Sequence, residues 1–194
     1  MSGLGVPSDD AVPAGGAASG GDPGRVVIRP MTAADGELAR QATHANMNWR
    51  GGEAFTFRRI DEAPEFRHYC ALAPARGDFG FVAEIDGRAA GLVWLLFLDA
   101  GDPGYGYIAD GVPELSLCVR SGYRGAGLGE RLLRVAIDEA AVRGIARVSL
   151  SVEAENEAAV RLYERVGFRR APAAADAGAY VVDTAPRASA PGGE

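Results

Sequence analysis

The sequence predicts an α/β fold: a single domain in which a mixed central sheet of about six to seven strands is flanked by about four helices. Three observations lead to this prediction. Two apolar runs flank an Asp-Gly pair, a glycine cluster leads into an amphipathic helix, and the second half of the chain alternates strand and helix patterns. With 194 residues, the chain is long enough for one hydrophobic core and short for two.

The two ends of the chain have little to bury. Residues 1–24 are dominated by Gly, Ala, Pro, Ser and Asp, and residues 185–194 have a similar composition. Such segments cannot offset the entropy lost on folding. We therefore expect two disordered tails around a folded domain at residues 25–184.

The first half of the domain contains one strand, a helical region and a hairpin. A strand is predicted at Val26–Arg29, followed by a helix at Met31–Ala45 with Thr32 as its N-cap. The aromatic-rich segment 48–75 predicts a second helical region without clear limits. The runs Phe79–Ile85 and Ala89–Leu98 are predicted strands, because the Asp-Gly pair between them favours a tight hairpin turn.

The second half alternates strands and helices after a long loop at residues 99–113. Two glycines mark the expected helix ends, at positions 144 and 167. The predicted elements are the strand Glu114–Val119, the helix Leu128–Arg143, the strand Ala146–Val152, the helix Asn156–Val166 and a final hairpin of Phe168 with Tyr180–Val182.

Composition excludes several classes of function. A formal net charge of −6 argues against nucleic acid or an anionic membrane as the main partner. Every basic residue is arginine, so lysine chemistry is excluded. Two cysteines and two histidines without ligand spacing give no basis for a metal site.

The longest apolar stretch is about half of the roughly 20 residues that a membrane helix needs, and the N-terminus lacks a signal-peptide pattern. We expect a cytoplasmic protein.

The glycine cluster at residues 122–129 raises the question of what its backbone approaches. A Walker-type phosphate loop needs a lysine, which the chain lacks. A dinucleotide fingerprint needs the spacing G-x-G-x-x-G, whereas Gly125, Gly127 and Gly129 give G-x-G-x-G. Glycines before a helix start can instead present backbone N–H groups to an anion. A tight turn that merely starts the helix is the remaining alternative.

The pattern Arg124-x-x-Gly127-x-Gly129 resembles the acyl-CoA signature of the GNAT superfamily of N-acetyltransferases. Downstream, Asn156, Tyr163 and the Gly167-Phe168 pair occupy the places that the family pattern gives them. The resemblance covers residues 114–168 closely and the segment from Val26 more loosely. It implies acetyl-CoA as co-substrate, without a metal, and a cofactor-binding set of Leu117, Cys118, Val119, Arg124, Gly125, Ala126, Gly127, Leu128, Gly129, Glu130 and Asn156.

The resemblance also implies candidate catalytic residues. Glu114 is the candidate general base, and a solvated carboxylate at a strand end is the equal alternative. Tyr163 is the candidate general acid, although a core aromatic would suit its place on an amphipathic helix. In the family the Glu114 strand bulges and splays, which implies free backbone N–H groups around Leu117–Val119. Cys118, inside an apolar strand, is expected to be a small hydrophobe rather than a nucleophile.

The acceptor side carries less information. By resemblance it is lined by the first helical region and by the loop before Glu114, which makes Trp49, Phe55, Tyr105 and Tyr107 pocket candidates. The expected reaction is acetyl transfer to a primary amine of a small molecule or peptide, including a protein N-terminus. A non-catalytic acyl-CoA-binding module is the alternative, and a longer acyl group and a homodimer are left open.

Overall fold

The computed structural model of the protein describes residues 25–172 and 178–184, so the tails predicted at 1–24 and 185–194 lie outside the described residues. Within that part of the chain, seven strands form one sheet. The strands are β1 (Val26–Pro30), β2 (Phe79–Ile85), β3 (Arg88–Leu96), β4 (Glu114–Val119), β5 (Arg147–Ser151), β6 (Arg169–Arg170) and β7 (Ala179–Asp183). The helices are α1 (Gly36–Met47), α2 (Phe57–Glu62), α3 (Pro64–Arg67), α4 (Leu128–Val142) and α5 (Glu157–Val166).

The sheet has the order β1-β2-β3-β4-β5-β7-β6. All neighbours are antiparallel except β4 and β5, which are parallel. This arrangement confirms the predicted mixed sheet. Each of the helices α4 and α5 follows one of the two parallel strands. The starts of both helices therefore lie at the same end of the sheet, beside the junction of β4 and β5.

The hairpin between β2 and β3 forms as predicted. Asp86 and Gly87 both have positive φ angles, 52° and 74°. A two-residue turn with this geometry matches the right-handed twist of the paired strands. Asp-Gly suits it because Gly has no Cβ and Asp tolerates the left-handed region better than most residues.

The helical segments differ from the prediction in two places. A 3₁₀ turn at Ala33–Asp35 precedes α1, and there the Asp35 carboxylate accepts hydrogen bonds from Arg29 and from the Thr32 N–H. The segment after α1 forms two short helices instead of one, because Ala63 before Pro64 is extended. That division gives five helices rather than about four. Among the residues described, no helix combines the length and apolarity that a membrane crossing needs.

Hydrophobic residues pack on both faces of the sheet. The larger cluster lies beneath α4 and includes Leu115 of β4, Leu132 and Leu133. The second lies beneath α1 and includes Trp94 and Cys118. Because side chains alternate along a strand, Glu114 and Ser116 face the α1 side with Cys118.

Candidate active site

The two parallel strands separate just after they meet. Glu114 and Ser149 are the one residue pair in register between β4 and β5 within the described chain, and the Ser149 N–H donates to the Pro113 carbonyl at 3.0 Å. Beyond that point a cavity of about 760 Å³ is lined by both strands. The predicted splay is therefore present. The predicted bulge in β4 is wrong, because its register with β3 is continuous. The register shift in the described sheet lies between β2 and β3: Ala83 pairs with Gly91 and Glu84 with Ala89, so the extra residue is on β3.

Most of the predicted site residues meet around this cavity. Its lining includes Trp49, Tyr105, Glu114, Leu117, Cys118, Val119, Arg124, Gly125, Gly127, Leu128, Gly129, Glu130, Asn156 and Tyr163. Three predicted residues lie outside the lining. Phe55 packs edge to face against Phe66 at 5.6 Å, the Tyr107 hydroxyl donates to Asp110 at 2.7 Å, and Ala126 lies between two lining glycines.

The lining also contains residues that the sequence prediction missed. Tyr69 and Thr43 come from the α1 side, and Trp94 and Ser116 are paired on β3 and β4. The strand alternation could have indicated Trp94 and Ser116, because both lie on the Glu114 face. Tyr69 carries no such local signal, since it lies 45 residues from Glu114 in the chain.

The glycine loop, residues 124–130, leaves the start of α4 uncapped. Gly125 and Gly127 have φ angles of 83° and 77°, and a Cβ at either would project into open space. Gly127 is the N-cap and offers no side-chain acceptor, so the first N–H groups of this 15-residue helix have no partner within it. Arg124 ties the loop to β4 through a 2.9 Å hydrogen bond to the Val119 carbonyl. These features fit an anion such as the pyrophosphate of CoA.

Asn156 differs from Gly127 because it caps its own helix. Its side-chain oxygen accepts the Ala159 N–H at 3.3 Å, while the residue also lines the cavity. The start of α4 packs against α5, since a Cβ at Gly129 would lie 3.1 Å from Leu162. Glycine at this position therefore permits tight packing of α4 against α5.

Glu114 is a buried carboxylic acid in the cavity wall. The side chain accepts a 2.9 Å hydrogen bond from the Tyr69 hydroxyl at Oε1, while Oε2 has no hydrogen-bond partner among the described residues. Burial raises the pKa of Glu114 to about 7, and the Tyr69 hydrogen bond, with a smaller influence of the Gly106 N–H, acts in the opposite direction. A solvated strand-end carboxylate is excluded, because the residue is 4% exposed.

The loop at residues 99–113 covers this carboxylate. Gly104 approaches so closely that a Cβ there would collide with Glu114 Oε2 and with the Tyr69 hydroxyl. A Cβ at Gly106 would lie 2.5 Å from the Leu150 carbonyl carbon on β5. Only glycine fits at these two positions, because the loop backbone lies directly against β4 and β5. This close approach brings Tyr105, between them, to the cavity.

Tyr163 of α5 and Cys118 of β4 also line the cavity. Burial, with a smaller contribution from Cys118, raises the pKa of Tyr163 to about 12, so its hydroxyl keeps its proton at neutral pH. Its ring packs edge to face against Phe168 at 5.8 Å. Burial also raises the pKa of the Cys118 thiol, which disfavours a reactive thiolate.

An ion pair joins the two walls at the cavity margin. Arg50, after α1, lies 2.5 Å from Glu153 and 3.5 Å from Glu155, both before α5. Its guanidinium also stacks over the Trp49 ring at 4.8 Å. Within residues 25–172 and 178–184, no group of three or more His, Cys, Asp or Glu side chains is arranged to hold a metal ion.

Comparison with known proteins gives the same family as the residue pattern. Residues 43–168 match the Acetyltransferase (GNAT) family. A mycothiol acetyltransferase of Streptomyces avermitilis is 35% identical over 89 residues, which cover 45% of this chain and 26% of the relative. The [ribosomal protein bS18]-alanine N-acetyltransferase of Escherichia coli K12 is 41% identical over 64 residues, covering 33% of this chain and 43% of the relative. The chain thus spans less than half the length of either.

Solved structures share the fold. The protein yncA of Salmonella typhimurium, solved with its cofactor acetyl-CoA, has a TM-score of 0.55 and 24% identity, with 74% of this chain and 79% of that chain covered. At this identity the likeness concerns the fold. The family match spans well over half of the chain and includes the glycine loop, Glu114, Asn156 and Tyr163. The chain therefore belongs to the GNAT family of acetyltransferases.

Proposed function

We propose that this protein is an N-acetyltransferase that moves an acetyl group from acetyl-CoA to a primary amine of a small molecule or peptide. Glu114 acts as the general base and Tyr163 as the general acid in a direct attack. The observation that carries the proposal is the shared cavity: a carboxylic acid with a pKa of about 7, a protonated phenol and an uncapped helix start all line it.

The base has a suitable environment. An alkylamine has a pKa near ~10, so it is mostly protonated at pH 7 and must lose a proton before it can attack. A general base works best when its pKa lies near the working pH. Burial brings Glu114 into that range, whereas a solvated glutamate would be a weaker base by two or three pKa units, roughly.

The cofactor side is formed by the glycine loop and α5. Arg124, Gly125 and Gly127 would hold the pyrophosphate, with Asn156 beside them. Acetyl-CoA supplies an activated acetyl group, whose carbonyl oxygen becomes an oxyanion during attack. The open edge of β4 around Leu117–Val119 offers backbone N–H donors for that oxygen. The Tyr163 hydroxyl donates a proton to the departing thiolate.

The acceptor side is aromatic and carries little charge. Three of the five charged lining residues belong to the glycine loop and the helices after it, namely Arg124, Glu130 and Arg165. Glu153 is paired with Arg50 at the cavity margin, so Glu114 is the remaining charged group. Tyr69, Tyr105, Trp49 and Trp94 supply the remaining surface. Such a wall suits an amine with an adjoining apolar or planar group. Two relatives named for mycothiol and for a ribosomal-protein alanine are consistent with an amine acceptor.

The test is release of free CoA from acetyl-CoA in the presence of a panel of primary amines and short peptides, with product mass measured in parallel. We expect turnover on a subset of the panel and an acetyl mass added to the amine. Binding of acetyl-CoA is measured separately by calorimetry. Binding without turnover on any amine would favour the non-catalytic module, and failure to bind CoA would contradict both functions.

A further inference from the structure

The Tyr69 hydroxyl makes two hydrogen bonds beside the candidate base. Tyr69 lies in a 3₁₀ turn at His68–Cys70 and is 6% exposed. Its hydroxyl donates to Glu114 Oε1 at 2.9 Å and accepts the N–H of Tyr105 at 2.9 Å. Because the Tyr105 N–H can only donate, the Tyr69 proton is directed at the carboxylate.

Contacts on several sides fix the Tyr69 ring. The Thr43 hydroxyl on α1 donates to the backbone carbonyl of Tyr69 at 3.2 Å. The His68 ring packs edge-on at 4.3 Å, and His68 Nδ1 lies 3.1 Å from both carboxylate oxygens of Asp102. The Tyr105 ring is nearly parallel to Tyr69 at 6.3 Å. The hydroxyl is therefore held by α1, by its own turn and by the covering loop.

We propose that Tyr69 is a positioning residue whose hydrogen bond to Glu114 Oε1 fixes the carboxylate and sets the pH above which it accepts the proton of the acceptor amine. This inference rests on the proposed function of Glu114. The amine proton moves to the Glu114 carboxylate, the new N–C bond forms as the C–S bond breaks, and the thiolate takes a proton from Tyr163. Tyr69 itself keeps its proton throughout, because burial and the adjacent carboxylate raise its pKa far above the ordinary value.

After burial, the Tyr69 hydrogen bond has the largest influence on the ionisation of Glu114. Its neighbours across the strands, Leu96 on β3 and Ser149 on β5, carry no charge. The titratable groups facing it are the phenols of Tyr69 and Tyr105, and the His68–Asp102 pair lies behind Tyr69. A hydrogen bond to a carboxylate stabilises its charged form, so removing the Tyr69 hydroxyl raises the pKa of Glu114.

The experiment compares kcat against pH for the wild type, Tyr69→Phe and Glu114→Gln, with Tyr180→Phe as the control. Tyr180 is a buried tyrosine on β7 outside the cavity lining. We expect Tyr69→Phe to shift the acidic limb of the kcat–pH profile to higher pH by about one unit. That shift lowers kcat roughly tenfold at pH values below the limb and changes kcat little above it. Tyr180→Phe should leave the limb in place.

The outcomes separate the two proposals. If Glu114→Gln keeps the acidic limb of the wild type, the base assigned under the proposed function is wrong. If Glu114→Gln abolishes the limb but Tyr69→Phe lowers kcat equally at every pH, Tyr69 is a packing residue and the present inference alone is overturned. Placing 3-fluorotyrosine at position 69 gives a second test that preserves packing. Its hydroxyl is a stronger donor, so the limb should move to lower pH, and an unmoved limb would contradict the inference.

Discussion

Glu114 and Ser149 are, among the described residues, the one pair in register between β4 and β5, so the candidate base lies at the point where the two strands part. On one side of this pair the Ser149 N–H donates to the Pro113 carbonyl, and on the other the cavity opens. A residue at such a point is enclosed by the sheet yet borders the gap. The raised pKa of Glu114 follows from that enclosure.

The first prediction concerns the pH dependence of turnover. Because Glu114 has a pKa of about 7 and must be ionised to accept a proton, kcat should rise through pH 7 and level off above pH 8, approximately. Glu114→Gln cannot accept the proton, and kcat at the plateau should fall by roughly 100-fold or more. Both are measured by CoA release at saturating amine between pH 5.5 and 9. A variant with the wild-type profile would contradict the role of Glu114.

The second prediction concerns stability. The pKa of Glu114 is raised from 4.5 to about 7 on folding, so the folded state favours the protonated form. The contribution of Glu114 to the free energy of unfolding is complete below about pH 4.5 and is lost as the pH rises to 7. Glu114→Gln removes this loss of stability. We therefore expect the free energy of unfolding of the variant to exceed that of the wild type by up to about 3 kcal/mol at pH 8. Urea unfolding at pH 4.5 and pH 8 measures the difference, which should vanish at the lower pH.

The third prediction concerns the proton donor. Tyr163→Phe keeps the ring packing on Phe168 and removes the hydroxyl, so kcat should fall by about 100-fold while the dissociation constant for CoA stays within a factor of two, approximately. Tyr180→Phe is the matched buried control. Since the pKa of Tyr163 is about 12, its ionisation should add no basic limb to the wild-type profile below pH 10, approximately. Equal kcat in Tyr163→Phe and Tyr180→Phe would remove Tyr163 from the mechanism.

Much of this architecture could be predicted from local sequence. The strand Glu114–Val119 has the predicted limits to the residue, and the Asp86-Gly87 turn lies where the Asp-Gly pair indicated. These features depend on neighbouring residues in the chain. The gap between β4 and β5 does not, and only the family resemblance predicts it.

The acceptor side shows what local reasoning misses. Tyr69 reaches Glu114 because α1, the covering loop and β4 converge, and no spacing in the sequence encodes a contact across 45 residues. The resemblance indicates two segments, and aromatic character within them selects Phe55 and Tyr107. In the structure Phe55 packs against Phe66 and the Tyr107 hydroxyl donates to Asp110. Aromatic residues suit core, surface and pocket alike, so only the fold distinguishes these roles.

The fourth prediction separates backbone strain from cofactor binding. Gly127 and Gly144 flank α4 with φ angles of 77° and 73°, and a Cβ at either meets no atom within 4 Å. Alanine at either position should cost about 1 kcal/mol of folding free energy, because both backbones are left-handed. Only Gly127→Ala places a methyl group in the glycine loop, so it alone should weaken CoA binding, by roughly tenfold or more. Calorimetry with CoA tests this, and equal affinities for the two variants would contradict the assigned pyrophosphate site.

The fifth prediction concerns the loop that covers Glu114. Alanine at Gly104 would bring its Cβ to 2.5 Å from the Tyr69 hydroxyl and 2.7 Å from Leu98. The loop must move, which should cost about 1–3 kcal/mol of stability and break the hydrogen bond from the Tyr105 N–H. Gly36→Ala, at the start of α1, is the control, because a Cβ there meets no atom within 4 Å. We expect Gly104→Ala to lower the unfolding temperature and kcat together, whereas Gly36→Ala should leave kcat unchanged and should not lower the unfolding temperature. If Gly104→Ala retained full kcat, the Glu114 carboxylate would not depend on the covering loop for its working geometry.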